Sequence, residues 1–207
     1  MNIARILYPV QVLGPGKRVG IWLSGCPRRC PGCSNPELWE FHDEYEVNTQ
    51  SVVDMIAGVI SNQEIDGFTI TGGDPFYQPK ELGELLSHLQ KISVDILIYT
   101  GYTYEELLGS CDQDVRIALS MTGILIDGPY IEEKNDGSIL RGSNNQRIIV
   151  LNPTLGDKYN RYLSIQSSNE IQNFTSKDGV ISVGIHRPGF NSSVIEKVGE
   201  RGVLTYD

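Results

Sequence analysis

Residues 21–36 read Ile-Trp-Leu-Ser-Gly-Cys-Pro-Arg-Arg-Cys-Pro-Gly-Cys-Ser-Asn-Pro, and this stretch decides how the rest of the chain is interpreted. It begins as a short apolar strand and runs into a loop whose cysteines have the spacing C-x3-C-x2-C. Pro27, Pro31 and Gly32 keep the loop from becoming a helix. The three cysteines of this loop are Cys26, Cys30 and Cys33. Three thiolates on one short loop predict a single compact site for a soft metal.

The number of cysteines favours an iron–sulfur cluster with one open position. A four-iron cluster ordinarily takes four cysteines, so three cysteines leave one iron free. An open position lets a metal centre bind and activate a small molecule, whereas structural sites are usually closed. The alternative is a zinc site made of the three cysteines and His42, although zinc ligands commonly come as two separated pairs and no second pair follows here. We otherwise expect His42, His88 and His186 to be surface or packing residues.

Composition and charge describe an ordinary globular chain. The 207 residues fit one medium domain. With 17 basic and 26 acidic residues the net charge is −9, and this charge opposes the approach of nucleic acid phosphates. The sequence contains neither the ~18 uninterrupted apolar residues of a membrane helix nor the apolar core of a signal peptide. We therefore expect a cytoplasmic protein that binds no nucleic acid and no membrane. Clustered cysteines in such a protein indicate a metal, whereas the distant Cys111 is expected to be a plain structural cysteine.

Helix-like and strand-like segments alternate after residue 45. Predicted helices cover residues 49–61, 78–91 and 104–108, the last resuming at 115–119. Predicted strands cover residues 67–71, 94–99 and 123–126. Strand–helix–strand units with short linkers imply parallel strands joined by right-handed crossovers, so the predicted fold class is α/β. An open sheet or partial barrel of this kind binds its ligands at the carboxyl ends of the strands.

The last third of the chain is the least regular part. From about residue 151 the pattern loosens, with one strand predicted over residues 179–184 and a short helix over 191–198. We interpret residues 1–150 as the core, with the cysteine loop at 25–35. Residues 151–207 are then a C-terminal extension of the same domain.

Several motifs occur in an order that resembles one known family. Around the cysteine loop they are Gly-Pro-Gly-Lys-Arg at 14–18, Trp-Leu-Ser-Gly-Cys at 22–26 and Cys-Pro-Gly-Cys-Ser-Asn-Pro-Glu-Leu-Trp at 30–39. Farther along they are Thr-Gly-Gly-Asp-Pro at 71–75, Tyr-Thr-Gly-Tyr-Thr at 99–103, Asp-Gly-Pro-Tyr at 127–130 and Arg-Gly-Ser-Asn-Asn-Gln-Arg at 141–147. Together they closely resemble the radical S-adenosylmethionine activating proteins of anaerobic ribonucleotide reductase, over roughly residues 8–150.

The resemblance implies a partial (β/α) barrel of the radical SAM type and two cofactors. One is a 4Fe–4S cluster held by the three cysteines, and the other is S-adenosylmethionine, chelated by the fourth iron. The residues implied to contact S-adenosylmethionine are Gly32, Cys33, Ser34, Gly72, Gly73, Asp74, Thr100, Tyr102 and Asp127. Asp74 is implied to accept hydrogen bonds from the methionyl ammonium. The alternatives at these positions are simple turns and turn caps, and the 141–147 block is either a polar surface loop or a segment near the mouth of the active site.

The activity that the resemblance implies is radical chemistry on a partner protein. S-adenosylmethionine is cleaved reductively, and the resulting 5′-deoxyadenosyl radical abstracts hydrogen from a backbone glycine of the partner reductase. A flavodoxin-like or other low-potential donor is expected to supply the electron. The alternatives are a radical enzyme acting on another protein, a peptide or a small molecule, and a non-catalytic iron–sulfur or zinc binding module. The extension, with His-Arg-Pro-Gly-Phe at 186–190, has no counterpart that we identify in the family.

Overall fold

The computed structural model describes residues 1–165, 169–176, 179–190 and 193–194, which contain eight strands and five α-helices. The strands are β1 (Ile3–Val10), β2 (Arg18–Leu23), β3 (Gly67–Gly72), β4 (Ile96–Tyr99), β5 (Ile124–Asp127), β6 (Arg147–Val150), β7 (Ile171–Ser176) and β8 (Gly179–Gly184). The helices are α1 (Thr49–Ile60), α2 (Pro79–Leu89), α3 (Tyr104–Leu108), α4 (Gln113–Ser120) and α5 (Gly156–Ile165). None of these helices is long and apolar enough to cross a membrane.

Strands β1 to β6 form one sheet in which the spatial order follows the chain order. The four central strands, β2 to β5, are parallel, and the edge strands β1 and β6 are antiparallel to their neighbours. The predicted α/β class with parallel strands is therefore confirmed. Within the described part of the chain β6 does not pair with β1, so the sheet stays open and does not close into a barrel. Strands β7 and β8 form a separate antiparallel hairpin.

The sequence predicted some elements well and missed others. Every helix and strand predicted between residues 49 and 126 is confirmed to within two residues at its ends, and the strand over 179–184 is confirmed as β8. The elements that were not predicted are β1, β6, β7 and α5. The helix predicted over residues 191–198 lies largely outside the described residues.

The central strands are buried on both faces because their side chains alternate between two cores. Ile96 and Ile98 of β4 pack with the apolar faces of α1, α2 and α4, whereas Leu97 joins a second cluster on the opposite face. Parallel strands covered on both faces need apolar residues at every position, and this explains why β4 reads Ile-Leu-Ile-Tyr.

Part of the extension covers the second face of the sheet. Tyr159 of α5 is fully buried against the cluster around Leu97. Val183 of β8 is 3% exposed and packs with apolar residues of β1, β2 and the loop between them. Gln172 of β7 adds two hydrogen bonds, because its amide group donates to the Pro9 carbonyl at 2.7 Å and accepts from the Gln11 backbone N–H at 2.9 Å. Apolar packing and the hydrogen bonds of the Gln172 side chain thus attach the extension to the sheet.

A buried ionic network ties the amino ends of the strands together. The Arg18 guanidinium, 0% exposed, donates to Thr69 Oγ1 at 2.7 Å and to Asp95 Oδ1 at 2.9 Å. Asp95 also accepts from Lys158 Nζ at 2.6 Å and from the Tyr159 hydroxyl at 2.7 Å. Burial alone would raise the pKa of Asp95, but these three partners outweigh it and hold the pKa below its usual range. The network lies at the end of the sheet opposite to the cysteine loop.

Candidate functional site

A cavity of about 1040 Å³, including its open mouth, lies at the carboxyl ends of β2 to β5. This is the edge at which parallel sheets usually bind their ligands. Its lining includes eight of the residues predicted from the sequence, namely Cys26, Cys30, Cys33, Ser34, Gly72, Gly73, Asp74 and Thr100. The structure therefore brings most of the predicted site into one place.

Backbone hydrogen bonds from the end of β3 hold the start of the cysteine loop. The Gly73 N–H donates to the Leu23 carbonyl at 2.7 Å, and the Asp74 N–H donates to the Gly25 carbonyl at 2.9 Å. The two backbone segments come so close that a Cβ at Gly73 would lie 2.9 Å from the carbonyl carbon of Gly25 and nearer still to its oxygen. A Cβ at Gly72, whose φ is +102°, would meet the backbone of Leu23. Glycines are needed here because backbone packs on backbone.

A second segment holds the same loop from the other side. A single helical turn at Pro36–Leu38 carries the chain back toward the start of the loop. There the Gly25 N–H donates to the Leu38 carbonyl at 2.9 Å, and the Cys26 N–H donates to the Trp39 carbonyl at 2.7 Å. The first cysteine is thus fixed by backbone contacts on both sides.

The three thiols of the loop are free of disulfides and partly buried. Burial raises the pKa of Cys26, although the backbone N–H groups of Arg28 and Arg29 lower it in part. Burial likewise raises the pKa of Cys33, against the Asn35 N–H, which donates to the Cys33 sulfur at 3.4 Å. Protein groups alone therefore leave the thiols of Cys26 and Cys33 protonated near neutral pH, and a bound cation would deprotonate them.

The arrangement fits a cluster better than a single ion. Among the residues that the structure describes, no three Cys, His, Asp or Glu side chains are gathered closely enough to hold one metal ion. The zinc alternative with His42 has no geometric support, and the His42 ring instead lies 3.3 Å from the Glu37 carbonyl. In a four-iron cluster each cysteine binds a different iron, so the sulfur atoms need not converge on one point.

Polar atoms without partners mark the same cavity. In the described residues, four buried side-chain nitrogen or oxygen atoms have no hydrogen-bond partner, and three of them belong to cavity-lining residues. These three are Arg28 Nε, Trp39 Nε1 and the Tyr99 hydroxyl. Buried polar groups are nearly always paired in native proteins, so such a concentration indicates that a bound group completes them. Soft thiols and unpaired donors together fit a cluster with a polar ligand beside it.

Asp74 accepts hydrogen bonds from three groups of the protein. Its carboxylate accepts from the Phe76 N–H at 3.0 Å, the Gly101 N–H at 2.8 Å and the Thr100 hydroxyl at 2.9 and 3.1 Å. Desolvation raises its pKa to about 6 despite these donors. These contacts join the ends of β3 and β4. Asp74 also lines the cavity, and its bond to a methionyl ammonium stays a prediction.

Asp127 does not line the cavity. It is 1% exposed, accepts from the Tyr104 N–H at 2.8 Å and forms an ion pair with Arg147, which also pairs with Glu105. Its contacts are those of a residue that fastens α3 to β5 and β6. The alternative of a structural cap therefore describes this position better than a cofactor contact.

Gly32 and Tyr102 also lie outside the main cavity. Gly32, with φ of +71°, sits beneath the Glu132 carboxylate and lines a smaller neighbouring cavity. The Tyr102 ring packs under the Arg28 guanidinium at 4.5 Å, and Arg28 also pairs with Glu106 at 2.8 Å. Neither residue lines the main cavity, although Gly32 lines the smaller cavity together with Cys33.

One wall of the cavity comes from the extension and was not predicted. Ser182 to His186 line it in succession. The Ser182 hydroxyl lies 3.0 Å from His186 Nε2, the His186 ring stacks on Phe190 at 4.2 Å, and burial lowers the pKa of His186. The Asn135 amide donates to the His186 carbonyl at 2.9 Å. The alternation of β8 was readable, but its position over the cavity depends on contacts across more than 100 residues.

Comparisons with known proteins agree with this site. Residues 12–149 match the family model described as a 4Fe-4S single cluster domain. The anaerobic ribonucleoside-triphosphate reductase-activating protein of Escherichia coli (strain K12) is 32% identical over 148 residues, 67% of this chain and 92% of that protein. Proteins of the same name from Vibrio cholerae serotype O1 and from Enterobacteria phage T4 are 35% and 34% identical, covering 68% and 72% of this chain and 93% of each relative.

Among solved structures, this chain is similar to QueE from Escherichia coli, known from a crystal structure. It is 26% identical with a TM-score of 0.39, and the similarity covers 49% of this chain and 53% of that one.

Proposed function

This chain belongs to the family of anaerobic ribonucleoside-triphosphate reductase-activating proteins, and we propose that it installs a glycyl radical on an anaerobic ribonucleotide reductase. The observation that carries the proposal is that three free thiols and two shielded polar atoms without a partner among the described residues, Arg28 Nε and Trp39 Nε1, belong to residues that line one cavity at the carboxyl ends of the strands. When bound there, a 4Fe–4S cluster and S-adenosylmethionine supply reductive cleavage to methionine and a 5′-deoxyadenosyl radical.

We propose Cys26, Cys30 and Cys33 as the three cluster ligands. Their sulfur atoms are soft donors, they lie on one loop, and backbone hydrogen bonds from two sides fix the start of that loop. Three ligands leave one iron open toward the cavity, where a small molecule can bind. The exposed Cys111 lies outside the cavity lining and is proposed to take no part.

For S-adenosylmethionine we propose the subset of predicted residues that borders the cavity. Ser34, Gly72, Gly73, Asp74 and Thr100 border it, together with the ligand Cys33. Asp74 also holds Thr100 and Gly101 beside the end of β3.

One further group offers a polar contact that the protein leaves open. Arg28 Nε is shielded from solvent and lacks a partner among the described residues. A guanidinium N–H suits a carboxylate. We propose that Arg28 orients the ligand within the cavity.

Apolar side chains give the cavity its second property, the exclusion of water. Leu13, Trp22 and Val183 are each no more than 5% exposed, and all three line the cavity. A site that makes a reactive radical must keep solvent and side reactions away from it. We propose that the wall formed by β8 contributes to this protection.

Further proposals concern the type of fold, the domain boundaries, the partners and the cellular location. The open, parallel-rich sheet is proposed to be a partial (β/α) barrel of the radical SAM type. Residues 151–207 are proposed to extend the core domain of residues 1–150, since Tyr159 and Val183 pack on the same sheet. The partners are proposed to be the reductase and a low-potential, flavodoxin-like electron donor. The cytoplasm suits free thiols, because it keeps cysteines reduced.

The test is anaerobic reconstitution with iron and sulfide, followed by S-adenosylmethionine and dithionite. We expect 5′-deoxyadenosine from the wild-type protein and from Cys111→Ser, which controls for the loss of a thiol, and none from Cys30→Ala. Incubation with a candidate reductase should then give a glycyl radical in the electron paramagnetic resonance spectrum. If the fully reconstituted protein makes no 5′-deoxyadenosine, the enzymatic proposal fails.

A second candidate substrate is another glycyl-radical enzyme or a peptide. One observation favours it: the extension forms a wall of the cavity, whereas the family model ends at residue 149. Production of 5′-deoxyadenosine without a glycyl radical on the reductase, but with one on a different partner, would support this candidate over the first.

A further inference from the structure

Trp39 is placed beside the cysteine loop by backbone contacts. Its carbonyl accepts the Cys26 N–H at 2.7 Å, and the neighbouring Leu38 carbonyl accepts the Gly25 N–H at 2.9 Å. The Trp39 side chain lines the cavity together with the three cysteines. The backbone of Trp39 is therefore held against the start of the loop that carries the first cysteine.

The indole N–H of Trp39 is buried and has no acceptor in the described part of the protein. Trp39 and Cys33 line the same cavity, and the indole N–H lies outside hydrogen-bond geometry for the acceptors of the described residues. A buried donor without a partner has lost its hydrogen bonds to water, so native proteins rarely keep one. The cavity that it lines is the space that the proposed cluster would fill, and that cluster carries sulfur acceptors.

We infer that Trp39 is a positioning residue whose indole N–H donates a hydrogen bond to a sulfur of the cluster, either the Cys33 thiolate or an adjacent sulfide, and thereby raises the reduction potential of the cluster. The inference rests on the proposed function for the presence of the cluster. Reduction adds negative charge to the cluster, and a donor to its sulfur stabilises the more negative state. The bond therefore makes the reduced cluster easier to reach for a physiological donor.

The experiment compares three variants after anaerobic reconstitution. Trp39→Phe removes the N–H and shortens the ring, and replacement of Trp39 by 3-benzothienylalanine removes the N–H while keeping the bicyclic shape. Tyr8→Phe is the matched control, since it removes an aromatic hydrogen-bond donor, the hydroxyl that donates to the Glu64 carbonyl, at a residue outside the cavity lining. For each variant we measure iron and sulfide content, the midpoint potential by a redox titration, and exchangeable proton couplings of the reduced cluster by electron–nuclear double resonance in H₂O and D₂O.

We expect both Trp39 variants to keep a full complement of iron and sulfide, to have a more negative midpoint potential and to lose one exchangeable proton coupling. Tyr8→Phe should change neither the potential nor the coupling. Unchanged potential and coupling in the Trp39 variants would overturn the inference, because the ring would then only pack. If Trp39→Phe loses the cluster, the potential and coupling are judged on the benzothienyl variant alone. Loss of the cluster from that variant too would mean that the N–H is needed for cluster assembly, and it would reject a function in tuning the potential.

These readouts are independent of substrate turnover. If the wild-type protein binds a four-iron cluster but makes no 5′-deoxyadenosine, the proposed function fails while the Trp39 measurements remain valid. If turnover is normal and the potential does not respond to Trp39, the proposed function stands and only the inference fails.

Discussion

Gly73→Ala should disturb the cysteine loop through a single added methyl group. The new Cβ would lie 2.9 Å from the carbonyl carbon of Gly25 and closer to its oxygen. Carbon atoms pack best at about 3.5–4.0 Å, so the Gly25 backbone must retreat by at least roughly 0.5 Å. That movement strains the Asp74 N–H to Gly25 carbonyl bond and carries Cys26 with it. Overpacking of this kind costs about 1–3 kcal/mol, and a misplacement near 1 Å at a reacting centre can cost about 100-fold in rate.

The assay follows the loop directly and then its consequence. Iron and sulfide content after reconstitution reports on the ligand set, and the rate of 5′-deoxyadenosine formation reports on its placement. We expect the Gly73→Ala protein to bind less cluster and to lose at least about 10-fold in rate. Gly58→Ala is the matched control, because Gly58 lies in α1 and a Cβ there meets nothing within 4 Å. Alanine in a helix interior should stabilise that control by up to ~1 kcal/mol.

One outcome would refute the reasoning. Gly73 does not have a positive φ, so its backbone conformation tolerates alanine, and the collision with Gly25 is the only obstacle that the structure shows. If Gly73→Ala bound the full cluster and kept its rate within about 2-fold, backbone packing at this contact would not set the position of the loop.

Three further predictions concern the parts of the fold around the site. Asp95→Asn should lower the free energy of unfolding by about 3–5 kcal/mol in urea titrations, because it leaves Arg18 buried without its counter-ion. The folded-state pKa of Asp95 lies below its unfolded value of about 3.9, so the difference in free energy of unfolding between wild type and variant should be complete above about pH 3.9 and disappear as the pH falls through the folded-state pKa. A difference that stays the same at every pH would contradict this. Asp127→Asn should lower the melting temperature but leave the dissociation constant for S-adenosylmethionine within about 3-fold in equilibrium dialysis, and a 10-fold weaker constant at unchanged melting temperature would restore Asp127 as a cofactor contact. Val183→Asp should make the β7–β8 hairpin sensitive to limited proteolysis, since it puts an unpaired charge into an apolar cluster, whereas Val180→Asp at a 67% exposed position should not; equal resistance of the two would mean that the hairpin is not anchored through Val183.

The central elements were predictable because local pattern and tertiary environment agree. The leucines of α2 recur at helical spacing and all face the core, and β4 is apolar along its length because both of its faces are covered. The missed elements have weaker signals. Strand β6 is a four-residue edge strand with exposed ends, too short to show an alternation. In α5 only Tyr159 is fully buried, and Tyr162 and Leu163 pack beside it at helical spacing, a signal that could have identified this helix.

The candidate site divides in the same way. Cys26, Cys30 and Cys33 were predicted because their chemistry depends on residue type and short spacing, both of which the sequence displays. Asp74 was expected to touch a ligand. The structure adds two partners of its carboxylate, Thr100 and Gly101, which directly follow β4, and no local signal in the sequence shows these contacts. The wall from β8 depends on contacts between distant parts of the chain. Short-range chemistry is therefore readable from the sequence, whereas the partners of a side chain across the fold are not.

The two ends of the sheet differ in how completely their buried polar groups are paired. At the amino ends, Arg18 and Asp95 satisfy each other and several neighbours, so the charge there is buried at little net cost. At the carboxyl ends, Trp39 and Arg28 each keep a shielded polar atom without a partner in the described residues. Unpaired groups destabilise the empty protein, and a ligand that pairs them recovers that free energy as affinity. Binding of the cofactors should therefore raise stability mainly through the cavity, and substitutions in the Arg18 network should lower the stability of the empty and the loaded protein by the same amount.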